Sequence, residues 1–244
     1  MEPRRMELHQ FRHSAFCEKV RLVLAAKGLD AQVVEVAPGL GQLDLFRLSG
    51  QRQVPVLVDG AEVIADSTEI ALYLEHRHPL PPLLPSDPGE RAQVLLLEDW
   101  ADTALSSACR RALLQAAATN PKLRGALLPD ATPASVRQLV GVLPGNLLGA
   151  ISDTLGSLLA PLEARQLHRN LEQLSQLVAK GDHLVGSQLS LADLAVVAQL
   201  SLLRFPANVE APLAGEGVGG IADNPLFQSL FRWRDRILTT LSSR

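Results

Sequence analysis

The chain has 244 residues, 47% hydrophobic and 20% charged, a composition that builds a folded core and excludes disorder over the whole length. Its net charge is −3 and neither half is basic, which excludes a nucleic-acid footprint. The two cysteines, Cys17 and Cys109, are too few for a disulfide framework and form no Cys-x-x-Cys pair, in keeping with a reducing compartment.

The N-terminus carries no apolar stretch of the kind a secretory signal needs, so a cytoplasmic protein is expected. The longest uncharged run, Gln138 to Ser152, is too short to span a bilayer and is interrupted by Gly141, Pro144, Gly145 and Gly149.

In chain order, Met6–Phe11 reads as a short strand behind a charged tail. Residues 15–27 read as a helix, with Phe16, Val20, Val23 and Leu24 on one stripe and Gly28 placed to end it. Gln32–Val36 is β-branched and strand-like, and Leu43–Leu48 suits one or two helical turns. Val54–Val58 and Ala61–Ala65 flank Asp59-Gly60, a dipeptide that predicts a tight hairpin. Asp66-Ser67 opens a helix that Pro79 stops. The predicted order is β-α-β, a short α, then β-β-α.

Pro79, Pro81, Pro82, Pro85 and Pro88 then exclude helix and central strand, so 81–88 reads as a linker between domains at 1–80 and 89–244. Beyond it the β signals fade. Gly89–Thr119 predicts one long helix. Residues 120–160, rich in Pro and Gly, predict short helices and turns. Leu162–Lys180 is periodic, Leu191–Leu203 is apolar enough to be buried on all sides, and Pro225–Leu241 is amphipathic. Ser190-x-x-Asp193 is a capping box ahead of the apolar helix, with a structural role. The predicted fold class is therefore α/β followed by all-α.

Several residues suit chemistry as well as structure. Ser14 stands immediately before the first helix, either as a plain N-cap or as a hydroxyl donor at a positive helix end. Val54-Pro55 enters a strand; a cis bond there turns the Val54 main chain outward, where a peptide can pair with it. Asp66-Ser67 is either a plain cap or an anion site at a helix N-terminus. Cys17, one turn into the first helix, reads as a buried, inert thiol. Asp99 and Asp102 read as a solvated helix face. His76 and His78 lie at a helix end without a spaced ligand set, so no metal site is expected.

Four segments together resemble the soluble glutathione transferase superfamily: Phe11 to Arg21, Gln53 to Leu57, Asp66-Ser67 and Leu184 to Asp193. The resemblance implies a thioredoxin-like N-terminal domain and a helical-bundle C-terminal domain. It implies glutathione as co-substrate, an apolar electrophile as its partner in reaction, and a homodimer without metal. It assigns the glutathione contacts to Gln53, Val54, Pro55, Asp66 and Ser67, with Arg52, Arg12 and His13 as further candidates. Members of the superfamily stabilise the glutathione thiolate with Tyr, Ser or Cys. The single tyrosine, Tyr73, lies outside the first loop, so the resemblance assigns catalysis to Ser14 as in serine-type classes such as theta.

A second alignment matches the Cys-Pro-Phe-Cys site of omega-type and glutaredoxin-like members. There Ser14 replaces the reactive cysteine and Cys17 matches the resolving one, which leaves a glutathione-dependent oxidoreductase or peroxidase using Cys17 as an alternative. A non-catalytic binding protein of the same fold is a third reading. Residues 120–160 suit a lid over an apolar pocket, or a contact with a partner or a membrane surface.

Overall fold

Strand β1 (Met6–Gln10) lies at the centre of a four-stranded sheet of order β2-β1-β3-β4. It pairs in parallel with β2 (Ala31–Glu35) and antiparallel with β3 (Val56–Asp59), which pairs antiparallel with β4 (Glu62–Ala65). The computed structural model describes residues 6–37, 40–120, 123–124, 127, 156–207, 209 and 213–243. The charged tail before β1 and most of 120–160, with the lid and short helices expected there, lie outside the described residues.

Helix α1 (Ala15–Lys27) starts and stops where its cap residues stand. Ser14 caps it, and Gly28 at φ 64° turns its N–H back to the last carbonyls. The apolar stripe is buried at Val20, Val23 and Leu24. Helix α2 is longer than expected and spans Leu40–Ser49. The hairpin turn is shifted by one residue: Asp59 pairs with Glu62, so the loop is Gly60-Ala61. Only Gly60 has positive φ, at 67°, which excludes the turn that Asp59-Gly60 would form with both residues positive. Asp59 stays in the strand and accepts a hydrogen bond from the Tyr73 hydroxyl at 2.9 Å. Helix α3 (Ser67–Arg77) follows at once.

The long helix expected at 89–119 is interrupted. Helix α4 (Pro88–Trp100) passes through a π-helical stretch, Ala101–Leu105, into α5 (Ser106–Thr119). Such a stretch adds a residue to the turn and re-aims the side chains after it. Helix α6 (Gly156–Lys180) is followed by α7 (Leu191–Leu203), buried along nearly its whole length as its composition required. A short 3₁₀ turn, Pro225–Phe227, leads into α8 (Gln228–Ser242). The capping box is formed: Asp193 accepts from the N–H and hydroxyl of Ser190 and from the N–H of Leu184, each at 2.8 Å.

Sheet and helices share one core. Leu8, Leu57, Ile70 and Leu74 join Val94, Leu105, Leu171, Leu200 and Phe231 in a continuous apolar cluster, with α1 packed on α7, α3 and α8. The proline segment is pinned to it. The Lys27 ammonium bonds the Glu75 carboxylate and, at 2.7 Å, the Pro81 carbonyl. Glu75 also accepts from the N–H groups of Leu83 and Leu84. Both leucines are buried, and the Leu83 carbonyl accepts from Leu191 at 2.9 Å.

Candidate functional site

The sheet register gathers three of the expected segments at one end. His9 pairs with Val56, and Val56 with Ala65. Next to these three in the chain stand Gln10, Pro55 and Asp66, and next again Phe11, Val54 and Ser67. Phe11, Val54 and Ala65 pack on the apolar cluster of Val36, Leu45 and Val56, which ties the loop before Ser14 to the entries of β3 and α3. The Val54–Pro55 bond is cis. The main chain of Val54 makes no hydrogen bond to any other described residue.

Ser14 is held in extended conformation by its N–H on the Phe11 carbonyl at 3.0 Å, and its hydroxyl oxygen accepts from the Cys17 N–H at 3.4 Å. A hydroxyl that accepts in the cap can still donate its proton. It borders a cavity of about 310 Å³ whose opposite wall is apolar, with Leu202, Phe205, Pro206 and Val209. Arg12 and His13 line the same cavity, and the His13 ring meets Phe205 edge-on at 5.9 Å.

The loop that carries Ser14 is braced by a polar network. Glu35 accepts from Gln10 Nε2 at 2.6 Å and from the Arg12 N–H at 3.2 Å. Arg21 bonds the Arg12 carbonyl at 2.9 Å, Glu18 and Gln10. Cys17 is fully buried, and its burial pushes the thiol pKa up against the opposing pull of Ser14 and Arg21. Cys109 is shifted the same way by burial alone. Neither thiol favours the thiolate.

Asp66 caps α3 at φ 76°, and its carboxylate accepts from Thr68 and Glu69 N–H groups at 2.8 and 3.2 Å. Ser67 is buried, and its hydroxyl lies 3.3 Å from Asp102 Oδ2. Asp102 is therefore not on a solvated face: the expectation fails because the π-helical stretch begins one residue before it and turns it inward. Its carboxylate bonds the buried Lys19 ammonium, which also reaches Glu98 at 2.6 Å and Thr68 at 3.1 Å. Burial, and then Glu98, push the Asp102 pKa up while Lys19 and Ser67 pull it down. Its Oδ1 is buried without a partner among the described residues. Asp99 is exposed, as expected.

Gln53 and Arg52 are exposed on the loop before β3; Arg52 lies over the Phe46 ring at 5.7 Å. Neither lines the cavity at Ser14. Sequence reasoning missed Lys19 and Glu98. The one available signal was Lys19 itself, set between Phe16 and Val23 on the apolar stripe of α1.

Among the described residues no group of three or more His, Cys, Asp or Glu is placed to hold a metal, and no helix is long and apolar enough to cross a membrane. Residues 8–82 match the family model for the glutathione S-transferase N-terminal domain. Glutathione S-transferase Z1 of Arabidopsis thaliana is 38% identical over 91 residues, 36% of this chain and 41% of the plant protein. The chain thus spans less than half the length of such curated relatives in these matches. The structure of β-etherase LigF from Sphingobium sp. strain SYK-6 covers 98% of each chain at a TM-score of 0.68 and 22% identity, a likeness of fold. A glutathione S-transferase from Rhodospirillum rubrum F11 covers 92% of this chain and 91% of its own, at a TM-score of 0.60 and 25% identity. Residues 8–82 thus carry a glutathione S-transferase N-terminal domain, and along nearly its whole length the chain has the fold of the soluble glutathione transferases it resembles.

Proposed function

We propose that the protein is a glutathione transferase in which the Ser14 hydroxyl stabilises the glutathione thiolate for attack on a small apolar electrophile. The observation that carries this reading is the pairing of Ser14, a hydroxyl at a helix N-terminus, with an apolar wall that lines the same cavity. A free thiol of this kind has a pKa of about 8.5, so little thiolate exists at neutral pH without such a donor.

Glutathione lies extended along the sheet end in this reading. Its cysteinyl main chain pairs with Val54 beside Pro55, and its γ-glutamyl end meets Asp66, Ser67 and the positive end of α3. Gln53 takes the glycyl carboxylate, and the electrophile occupies the cavity between Ser14 and Phe205. The protein acts in the cytoplasm as a homodimer.

In the reaction, the thiolate sulfur forms a bond to the electrophilic carbon, and the leaving group departs with the electron pair. Ser14 donates a hydrogen bond to the sulfur throughout and is not consumed.

The buried Cys17 speaks against an oxidoreductase that needs its thiolate. Steady-state kinetics with 1-chloro-2,4-dinitrobenzene and with a glutathione disulfide substrate separate the two. Ser14→Ala is expected to lower conjugation roughly ten- to a hundredfold, from the loss of one hydrogen bond to a charged group of about 1.5–3 kcal/mol. Cys17→Ala is expected to leave conjugation within a fewfold of the parent. Loss of turnover in Cys17→Ala with Ser14→Ala unaffected would favour the oxidoreductase. Failure of the parent chain to be retained on immobilised glutathione would overturn both enzymatic readings.

A further inference from the structure

The cavity at Ser14 has polar groups as well as an apolar wall. Ser14, Glu18 and Arg21 all line it. They stand at i, i+4 and i+7 and so share one face of α1. At a rise of about 1.5 Å per residue, Glu18 lies about 6 Å and Arg21 about 10 Å along the helix from Ser14. Leu202 and Val209 line the same cavity and are only half-buried, so they offer a ligand apolar surface.

The charged pair has one acceptor to spare. Arg21 Nε donates to Glu18 Oε2 at 2.9 Å, and Arg21 Nη2 bonds the same oxygen. The other Arg21 donors go to Gln10 Oε1 and, at 2.9 Å, to the Arg12 carbonyl. Glu18 Oε1 makes no hydrogen bond to any described residue. The Glu18 and Arg21 side chains are 25% and 28% exposed, so the pair keeps surface for a ligand. A ligand anion would be repelled there by Glu18, and a cation by Arg21. A neutral hydroxyl meets neither cost and donates to Glu18 Oε1 in a charge-assisted hydrogen bond.

We infer that the acceptor substrates are electrophiles with a phenolic hydroxyl para to the carbon chain that is attacked, selected by Glu18 accepting that hydroxyl. With the reacting carbon at the sulfur beside Ser14, one benzene ring spans the interval to Glu18 and packs on Leu202 and Val209. The inference rests on the Ser14 reading above and adds the class of electrophile to it.

Glutathione conjugation of 4-hydroxybenzylideneacetone and of its 4-methoxy analogue tests it at about pH 6.5, where a phenol keeps its proton. In both, the sulfur bonds the β-carbon of the enone, the C=C π pair moves onto the carbonyl oxygen, and the α-carbon takes a proton from water. The two are matched in electron donation, and only the first can donate a hydrogen bond. Their kcat/KM ratio, divided by the ratio of the uncatalysed rates, cancels any general loss of thiolate. This corrected ratio is expected to be about tenfold or more in the parent and to fall to about one in Glu18→Leu. In Glu18→Gln, which keeps the shape and loses the charge, it is expected to fall roughly threefold or more. A parent ratio near one would overturn the proposal, as would a ratio that stays at the parent value in either variant. Absence of turnover with both enones would overturn it too. If the parent still conjugates 1-chloro-2,4-dinitrobenzene, the electrophile class alone fails; if it does not, the transferase reading fails with it.

Discussion

Lys19 sits between two carboxylates, Glu98 and Asp102, so the cluster buries one more acidic group than it has cations. The raised pKa of Asp102 follows from that imbalance and from burial. A carboxyl whose folded pKa lies above its unfolded value holds its proton more tightly in the fold. Its contribution to stability is complete below the unfolded value of 3.8 and is lost as pH rises through the folded one. Denaturation of the parent and of Asp102→Asn across this window is expected to show the parent losing ground to the variant as pH rises. A difference that is flat, or that runs the other way, would contradict the assignment. Ser14 and Asp66 were legible as helix caps because capping depends on neighbours within three residues. Lys19 was not, because its two carboxylates lie 79 and 83 residues away.

Helix ends carried their own signals. Gly28 and the Ser190–Asp193 box stand where the chain stops and starts α1 and α7, and both act through local backbone geometry. Asp193 does more than a surface cap, since it is fully buried and also holds the Leu184 N–H. Asp193→Ala leaves two backbone N–H groups without their acceptor at about 1–3 kcal/mol each. A loss of about 2–4 kcal/mol by denaturant unfolding is expected, with glutathione affinity of the folded chain unchanged. A loss below about 1 kcal/mol would show the cap to be dispensable. The π-helical stretch at Ala101–Leu105 carried no such signal, because its sequence, Ala-Asp-Thr-Ala-Leu, holds no Pro or Gly to mark an interruption. The hairpin turn was displaced by one residue because Asp59 finds a strand partner in Glu62 and a hydroxyl donor in Tyr73.

Across the whole molecule, proline spacing alone supports a linker at 81–88 and no more than that. The structure seals its Leu83 and Leu84 through Lys27 and Glu75, whose partners lie on α1, α3 and the segment itself. The Lys27 side chain is fully buried, so Glu75→Ala strands an ammonium whose remaining bond is to the Pro81 carbonyl. Breaking a buried pair on one side costs about 3–5 kcal/mol. Limited proteolysis is expected to spare residues 80–84 in the parent and to cut there early in Glu75→Ala. Early cutting of the parent at Leu83–Leu84 would contradict the seal.

The central claim is that Ser14 lowers the pKa of the bound glutathione thiol. Ultraviolet absorbance of the thiolate, followed against pH for glutathione bound to the parent and to Ser14→Ala, reads this directly. The parent is expected to titrate well below the free-thiol value of about 8.5, and the variant to return toward it with glutathione still bound. Equal thiol pKa values in the two proteins would contradict the account.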